Sequence, residues 1–494
     1  MAIIPFLNRR PGLIVVTLAT VIALVSARSS VGGWNDGSRL ATVESLVDHG
    51  TLAIDRSIFT PLTCDKLFIN GRFYSDKSPV PAVGMAGCYW IIQKLTGLTA
   101  ATNPQRFYWT MTLCSSGFAF VVAVFGIWRL SRRLDLPWTR SVMLTASFAV
   151  GTLALPYCCQ VNNHILLLAV ATLLVYFQIA LALDETRAWW TFAVIGALTG
   201  LGYSIDLGIG PPLIAATSGL ALVRSAPGSL WKRLGRLTTF GVGLIPFVAL
   251  HHGLNFAVGG SIGPANAVPE YLFWPGSPFS AGNMTGKVQH QSAVAFLGYL
   301  FDLSFGIRGI VGHNPTLFLA VLPIGLLIWR VPRWRPEILA GWSWCLGSVL
   351  LYGITSNNHS GLNASVRWFV PFLAPAYFVL ALSLKHVSHC LAEFSILALS
   401  GAAMAVIMWY RGPWQPIWLT GYWILLACGL VSWGYIAFRR QRTYLTMNDG
   451  NSHAAVQVSR IRLNFPDTVA NNIKTGPPSE TPWREHHVPT QEDR

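Results

Sequence analysis

Val80-Pro81-Ala82-Val83-Gly84-Met85-Ala86-Gly87-Cys88-Tyr89-Trp90-Ile91-Ile92 is the stretch on which the reading of the chain turns. It is apolar from end to end and lies between Lys77 and Lys94. About a dozen apolar residues fall short of the ~20 that a helix needs to cross a bilayer core. If the stretch crossed nonetheless, the next basic cluster (Arg129, Arg132, Arg133 and Arg140) would lie outside, and every later basic loop would change sides with it. Loops rich in Lys and Arg favour the cytoplasm, so the stretch reads as a helix lying flat in the outer interface. That choice gives twelve spans with both termini cytoplasmic; the alternative is thirteen spans and an external C-terminus.

On either side of this stretch the chain alternates long apolar runs with short basic punctuation. Of its 494 residues 52% are hydrophobic and 11% charged, against about 25% charged in ordinary soluble proteins. Mean hydropathy is +0.47. A soluble enzyme is excluded, and an all-α polytopic membrane protein is expected. A net charge of +15 would suggest nucleic acid in a soluble chain. Here the cations lie between apolar runs, where membrane topology accounts for them, and no nucleic-acid partner is expected. The eight cysteines include no C-x-x-C pair, which argues against a zinc site or a disulfide framework.

The first run, within 1–27, follows Arg9 and Arg10 and reads as an uncleaved first transmembrane helix. Residues 28–106 then form an external, charged loop. Spans two to seven are expected within 107–257, a second external loop at 258–314, and spans eight to twelve within 315–438, with a third external loop at 355–368. From about Asn448 the chain is polar and unpatterned, and 439–494 reads as a disordered cytoplasmic tail. The expected location is the inner or plasma membrane, with chemistry on the outer side.

The first loop carries Asp36-Gly37-Ser38-Arg39 near its start and Asp76-Lys77-Ser78-Pro79 near its end. Leu40, Val43, Leu46 and Val47 recur at helical spacing and predict an amphipathic surface helix over 38–49, with Asp36 and Arg39 at its start. A second surface helix is expected over 80–95. The plain reading is a solvated loop with ordinary ion pairs; the chemical one is an acid and a base held at the lipid surface.

An Asp-x-x-Arg soon after the first helix, followed by an acidic-Lys-x-Pro motif, resembles the GT-C membrane glycosyltransferases. The nearest types are the protein mannosyltransferase and aminoarabinose transferase superfamily. There the second motif usually reads Asp-Lys-Pro-Pro; this chain has Ser78 at the third position. The resemblance implies transfer of a sugar from a polyprenyl-phosphate donor on the outer face to a hydroxyl of a lipid, glycan or protein, with inversion at the anomeric carbon. It places Asp36 as the acid that activates the acceptor and Asp76 as the second catalytic carboxylate, with Arg39 and Lys77 holding the donor phosphate. No cofactor is required, although some GT-C relatives use a divalent cation. The roles make physical sense: a carboxylate can act as general base toward a hydroxyl, and guanidinium and ammonium groups can neutralise a departing phosphate.

Outside that loop, Asn162, Asn163, His164 and Asp206 sit at predicted outer ends of spans, and Asn162, His164 and Asp206 are candidates for binding substrate. A lone His at a helix end is more often a hydrogen-bonded cap. His359, a further candidate for binding substrate, and Arg367 fall in the Gly/Asn-rich third loop. Arg367 enters a span from the outside, where it cannot be a cytoplasmic anchor; it is assigned to the donor phosphate, with snorkelling to headgroups as the plain alternative. His251-His252 lacks companion ligands at metal spacing. Gly196 and Gly200 read as close helix packing. The competing class is a transporter or flippase for a lipid-linked sugar or other anion, which would pair charges at the midplane, often in two related halves. No internal halves are visible here.

Overall fold

A computed structural model of the chain describes residues 11–184, 188–280, 290–361, 363–387, 390–414, 419 and 421–462. The chain divides into two units, Met1–Ile436 and Ala437–Arg494. The longer helices are α1 (Pro11–Ser26), α2 (Trp34–Asp48), α3 (Pro79–Thr96), α4 (Pro104–Arg133), α5 (Trp138–Val150), α6 (Asn163–Leu183), α7 (Trp189–Ile205), α8 (Gly210–Ser225), α9 (Leu230–Gly259), α10 (Ala293–Ser304), α11 (Arg335–Thr355), α12 (Leu373–His386), α13 (Leu391–Arg411) and α14 (Tyr422–Arg462). Seven helical stretches are long and apolar enough to cross a membrane among the described residues: Pro104–Arg133, Asn163–Leu183, Leu230–Gly259, Pro332–Thr355, Arg367–His386, Leu391–Arg411 and Tyr422–Arg442. The helices α1, α7 and α10 are apolar but shorter. The molecule is an integral membrane protein of all-α class.

Local sequence explains where these helices begin and bend. Asn103 caps α4 by accepting from the N–H of Arg106 at 3.2 Å, Pro104 follows at the first helical position, and Arg132 and Arg133 sit in the last turn, where the dipole favours cations. A single π turn at Leu113–Gly117 interrupts it. The deciding stretch forms α3, which starts on Pro79 and Pro81 and stops at Gly97, whose φ is 71°. α3 is not among the helices apolar enough to cross. The run 315–329 is broken by Pro323 into the short helices Phe318–Val321 and Ile324–Arg330. Residues 258–314, expected as a loop, carry α10, which no periodicity had marked.

Helices α6 and α12 lie in the middle of the bundle and are buried almost all round. In α9, by contrast, Val242 and Ile245 are more than half exposed, the pattern of a helix whose apolar face meets lipid. α7 and α9 cross closely because a Cβ at Gly196 or Gly200 would collide with the carbonyl oxygens of Phe240 and Leu244. Backbone atoms cannot move aside as side-chain tips do. Gly200→Val should therefore cost about 3 kcal/mol, read as a lowered unfolding midpoint in detergent; an unchanged midpoint would mean that the two helices do not pack this way.

Two features depart from the sequence reading. The first loop contains a β-hairpin, β1 (Lys66–Ile69) and β2 (Arg72–Ser75), turned at Asn70 (φ 50°) and Gly71 (φ 79°). The tail is helical beyond Asn448, since α14 runs to Arg462; the rest of the expected disordered tail, 463–494, lies outside the described residues.

Candidate functional site

The first three turns of α2 are buried from Asn35 to Ser45. The expected surface helix is thus enclosed, packed against α3 and the hairpin. Ser38 fastens the hairpin to α2: its hydroxyl donates to the carbonyl of Asp65 at 2.5 Å and lies 2.6 Å from Ser75 Oγ. Because Lys66 pairs with Ser75, Asp65 and Asp76 emerge side by side at the open end of the hairpin. Lys77 Nζ sits between them, 2.7 Å from Asp65 Oδ2 and 2.8 Å from Asp76 Oδ2. Burial pulls the Lys77 ammonium down, but the two carboxylates outweigh it and hold it above its ordinary value. Burial raises Asp76, with Lys77 opposing, and its Oδ1 is buried without a hydrogen-bond partner.

These groups border a cavity of about 560 Å³ that Arg39, Asn163, His164, Asp206 and Arg367 also line. Arg39 donates from Nε to Asn35 Oδ1 at 3.3 Å, while its Nη1 is buried and unpartnered. Burial lowers it to about 10, with Asp76 and Asp206 opposing, so it stays charged at neutral pH. Arg367 donates from Nη1 to Asn363 Oδ1 at 3.3 Å and lies over the Trp414 ring at 4.8 Å; its Nε is buried and unpartnered. Asp206 follows α7 and accepts from Gly208 N (2.9 Å), Asn163 Nδ2 (3.1 Å) and Tyr352 Oη (3.4 Å), with His164 Nδ1 at 3.2 Å. Burial would raise the Asp206 carboxyl, but His164 and the Gly208 N–H outweigh it and hold it low.

Asp36, Asn162 and His359 are not in the lining. Asp36 is fully buried at the start of α2, where Oδ1 accepts from Gly33 N at 2.8 Å and Oδ2 from Gly32 N at 2.8 Å and Tyr108 Oη at 2.5 Å. Its carboxylate is occupied by donors behind the cavity wall. Burial pushes its pKa up to about 6 against those three donors. An acid raised in the folded state stabilises fully below its ordinary value of 3.8 and loses that contribution as pH rises through 6. Between pH 4 and 6.5 the wild type should lose about 2 kcal/mol from this group. Asp36→Asn should flatten the unfolding midpoint across that window, and an equal slope in both proteins would reject the assignment. Asn162 is the cap of α6, accepting from His164 N at 2.7 Å. The His359 ring packs 5.6 Å from that of Tyr299.

Sequence reasoning passed over Asp65 and the neighbours of Ser78. Asn70-Gly71 between alternating residues is a strong hairpin signal, and counting outward from it pairs position 65 with 76. Ser78, where the related motif has Pro, sits 3.2 Å from His251 Nδ1 and donates to the carbonyl of Ser204. Asn255 Oδ1 accepts from Ala265 N, which turns its Nδ2 toward His251 Nε2 at 3.0 Å. His251 Nε2 is therefore an acceptor, its proton is on Nδ1, and that proton points to Ser78. Together with Asn266 Nδ2, which donates to the carbonyl of Asp76 at 2.9 Å, this network fixes the backbone that presents Asp76 and Lys77.

No protein-family model matches the chain, and no curated protein matches it. Among solved structures it is similar to ArnT from Cupriavidus metallidurans bound to undecaprenyl phosphate, at 15% identity over 87% of this chain and 77% of that one, with a TM-score of 0.46. It is also similar to the Archaeoglobus fulgidus oligosaccharyltransferase in complex with zinc and sulfate, at 14% identity over 84% of this chain and 53% of that one, TM-score 0.41. A second structure from that archaeon, the oligosaccharyltransferase AglB with an inhibitory peptide and a dolichol-phosphate, is similar at 14% identity over 85% and 56%, TM-score 0.42.

Proposed function

We propose that this chain is an integral membrane glycosyltransferase of GT-C type that moves a sugar from a polyprenyl-phosphate donor to a hydroxyl acceptor on the outer face of the membrane. One observation carries the reading: Arg39, Lys77 and Arg367 border the same cavity as Asp76, and Arg39 Nη1 and Arg367 Nε are buried there without acceptors. Leaving a charged buried donor unpaired costs about 1–3 kcal/mol or more, a cost that an arriving phosphate would remove.

In the transfer step the acceptor oxygen forms a bond to the anomeric carbon as its proton passes to Asp76, whose Oδ1 is free to take it. The anomeric carbon–phosphate oxygen bond breaks, and the electron pair leaves on the polyprenyl phosphate. Arg39, Lys77 and Arg367 neutralise the charge that develops. Attack opposite the leaving phosphate inverts the anomeric centre. Asp36 holds the start of α2, and through it Arg39, in place. Among the described residues no three His, Cys, Asp or Glu are grouped as metal ligands.

Titrating the purified protein in lipid nanodiscs with undecaprenyl phosphate tests the phosphate site. Saturable binding should weaken at least about tenfold in Arg39→Gln, Lys77→Gln and Arg367→Gln, each losing a charge-assisted hydrogen bond. Equal affinity in all three variants would remove these residues from the site.

A further inference from the structure

We propose that Asn163, Asp206, Tyr352 and Trp368 form a sugar-binding subsite that receives the hydroxyl groups of an uncharged glycosyl unit and turns away uronic acids. The inference rests on the glycosyltransferase reading and deepens it.

The unpaired groups of the cavity fall into two kinds. Arg39 Nη1 and Arg367 Nε are donors without acceptors and suit an anion. Asn163 is the converse. Its residue is 5% exposed, its Nδ2 is committed to Asp206 at 3.1 Å, and its Oδ1 is buried with no donor. Because the amide is oriented by that bond, Oδ1 is an acceptor awaiting an O–H or N–H. Asp206, held ionised by His164 and Gly208, accepts only. A ligand bound there must therefore present donors.

Beside these acceptors lies an apolar surface. The rings of Tyr352 and Trp368 stack 4.0 Å apart at 8° and both border the cavity. Polar acceptors next to aromatic rings match a sugar, whose hydroxyls donate around its edge while its C–H groups are apolar. One glycosyl phosphate carries both chemistries, an anion at one end and hydroxyl donors at the other, and at about 560 Å³ the cavity is in the size range of small-molecule sites. A uronic acid would bring a carboxylate toward the ionised Asp206 and the acceptor Asn163 Oδ1, and because His164 Nδ1 already faces Asp206 Oδ2 at 3.2 Å, like charges would meet there.

Three probes separate the possibilities: undecaprenyl phosphate, its glucosyl ester and its glucuronosyl ester, each titrated against the full-length protein in nanodiscs. The glucosyl lipid should bind about tenfold more tightly than the bare carrier, as two added hydrogen bonds would give, and the glucuronosyl lipid no more tightly than the bare carrier. Trp368→Leu and Asn163→Leu should each erase the glucosyl gain and leave bare-carrier affinity within about twofold, while Trp368→Phe keeps the gain and reports an intact fold. A wild type that binds glucosyl and bare lipids equally, or prefers the glucuronosyl lipid, overturns the subsite, as do variants that weaken the bare carrier as much as the glucosyl one. A wild type that binds none of the three overturns the glycosyltransferase reading itself.

Discussion

Asp76→Asn should lower the rate of sugar transfer by about 10²–10⁴-fold, the range expected when a positioned general base is removed, while undecaprenyl phosphate still binds. Three features single out Asp76. It borders the cavity, its Oδ1 has no partner, and Lys77 fixes Oδ2 at 2.8 Å, so that the free oxygen is held in place. The asparagine has nearly the same shape but cannot accept the proton. Asp36→Asn makes the informative contrast. Its carboxylate already accepts from Gly32, Gly33 and Tyr108, so its loss should show first in the pH dependence of unfolding and in the placement of Arg39. A transfer rate that survives Asp76→Asn and disappears in a well-folded Asp36→Asn would reverse the two roles.

Arg224→Ala should destabilise the bundle by about 3–5 kcal/mol, because it strands the buried carboxylate of Glu337. Arg224, in the last turn of α8, donates from Nε and Nη2 to the two carboxylate oxygens of Glu337, in the first turn of α11, both at 2.6 Å. The fork geometry is bidentate and each charge lies at the helix end its dipole favours. Glu337 is 3% exposed. The cost belongs mainly to the stranded charge, so Glu337→Met combined with Arg224→Met should recover most of it. Unfolding midpoints of both single variants and the double variant, read as a cycle, check this; additive losses would show that the two side chains do not depend on one another.

The residues of the cavity were legible in the sequence to the extent that they share the polarity problem of a membrane protein. Asp76, Lys77, Arg39, Asp206 and Arg367 stand out because charge is costly near an apolar bundle, and all five border one cavity. Asp36 stood out for the same reason, but charge alone does not tell a carboxylate that faces a cavity from one that caps a helix. That distinction depends on Tyr108, which is 72 positions away in sequence and meets Asp36 only through the fold. Asp65 was within reach through the Asn70-Gly71 turn, had the strand alternation been followed outward from it. His251 was not: its role depends on Asn255 and Ala265 fixing its tautomer, a long-range arrangement that local pattern does not encode. Among the helices, α6 and α12 are apolar all round and were plain, whereas α10 and the pieces around Pro323 are too short to leave a distinct period.

The most direct measurement follows the anomeric bond. The purified protein, reconstituted in vesicles with undecaprenyl-phosphate sugars carrying a labelled glycone and with lipid, glycan and peptide acceptors, is examined by mass spectrometry for labelled glycoside and released undecaprenyl phosphate. The expected result is equal amounts of both products, formed by the wild type and lost in Asp76→Asn. Labelled lipid that crosses the bilayer intact, with no release of carrier phosphate, would contradict a transferase and mark the protein as a transporter of lipid-linked sugar.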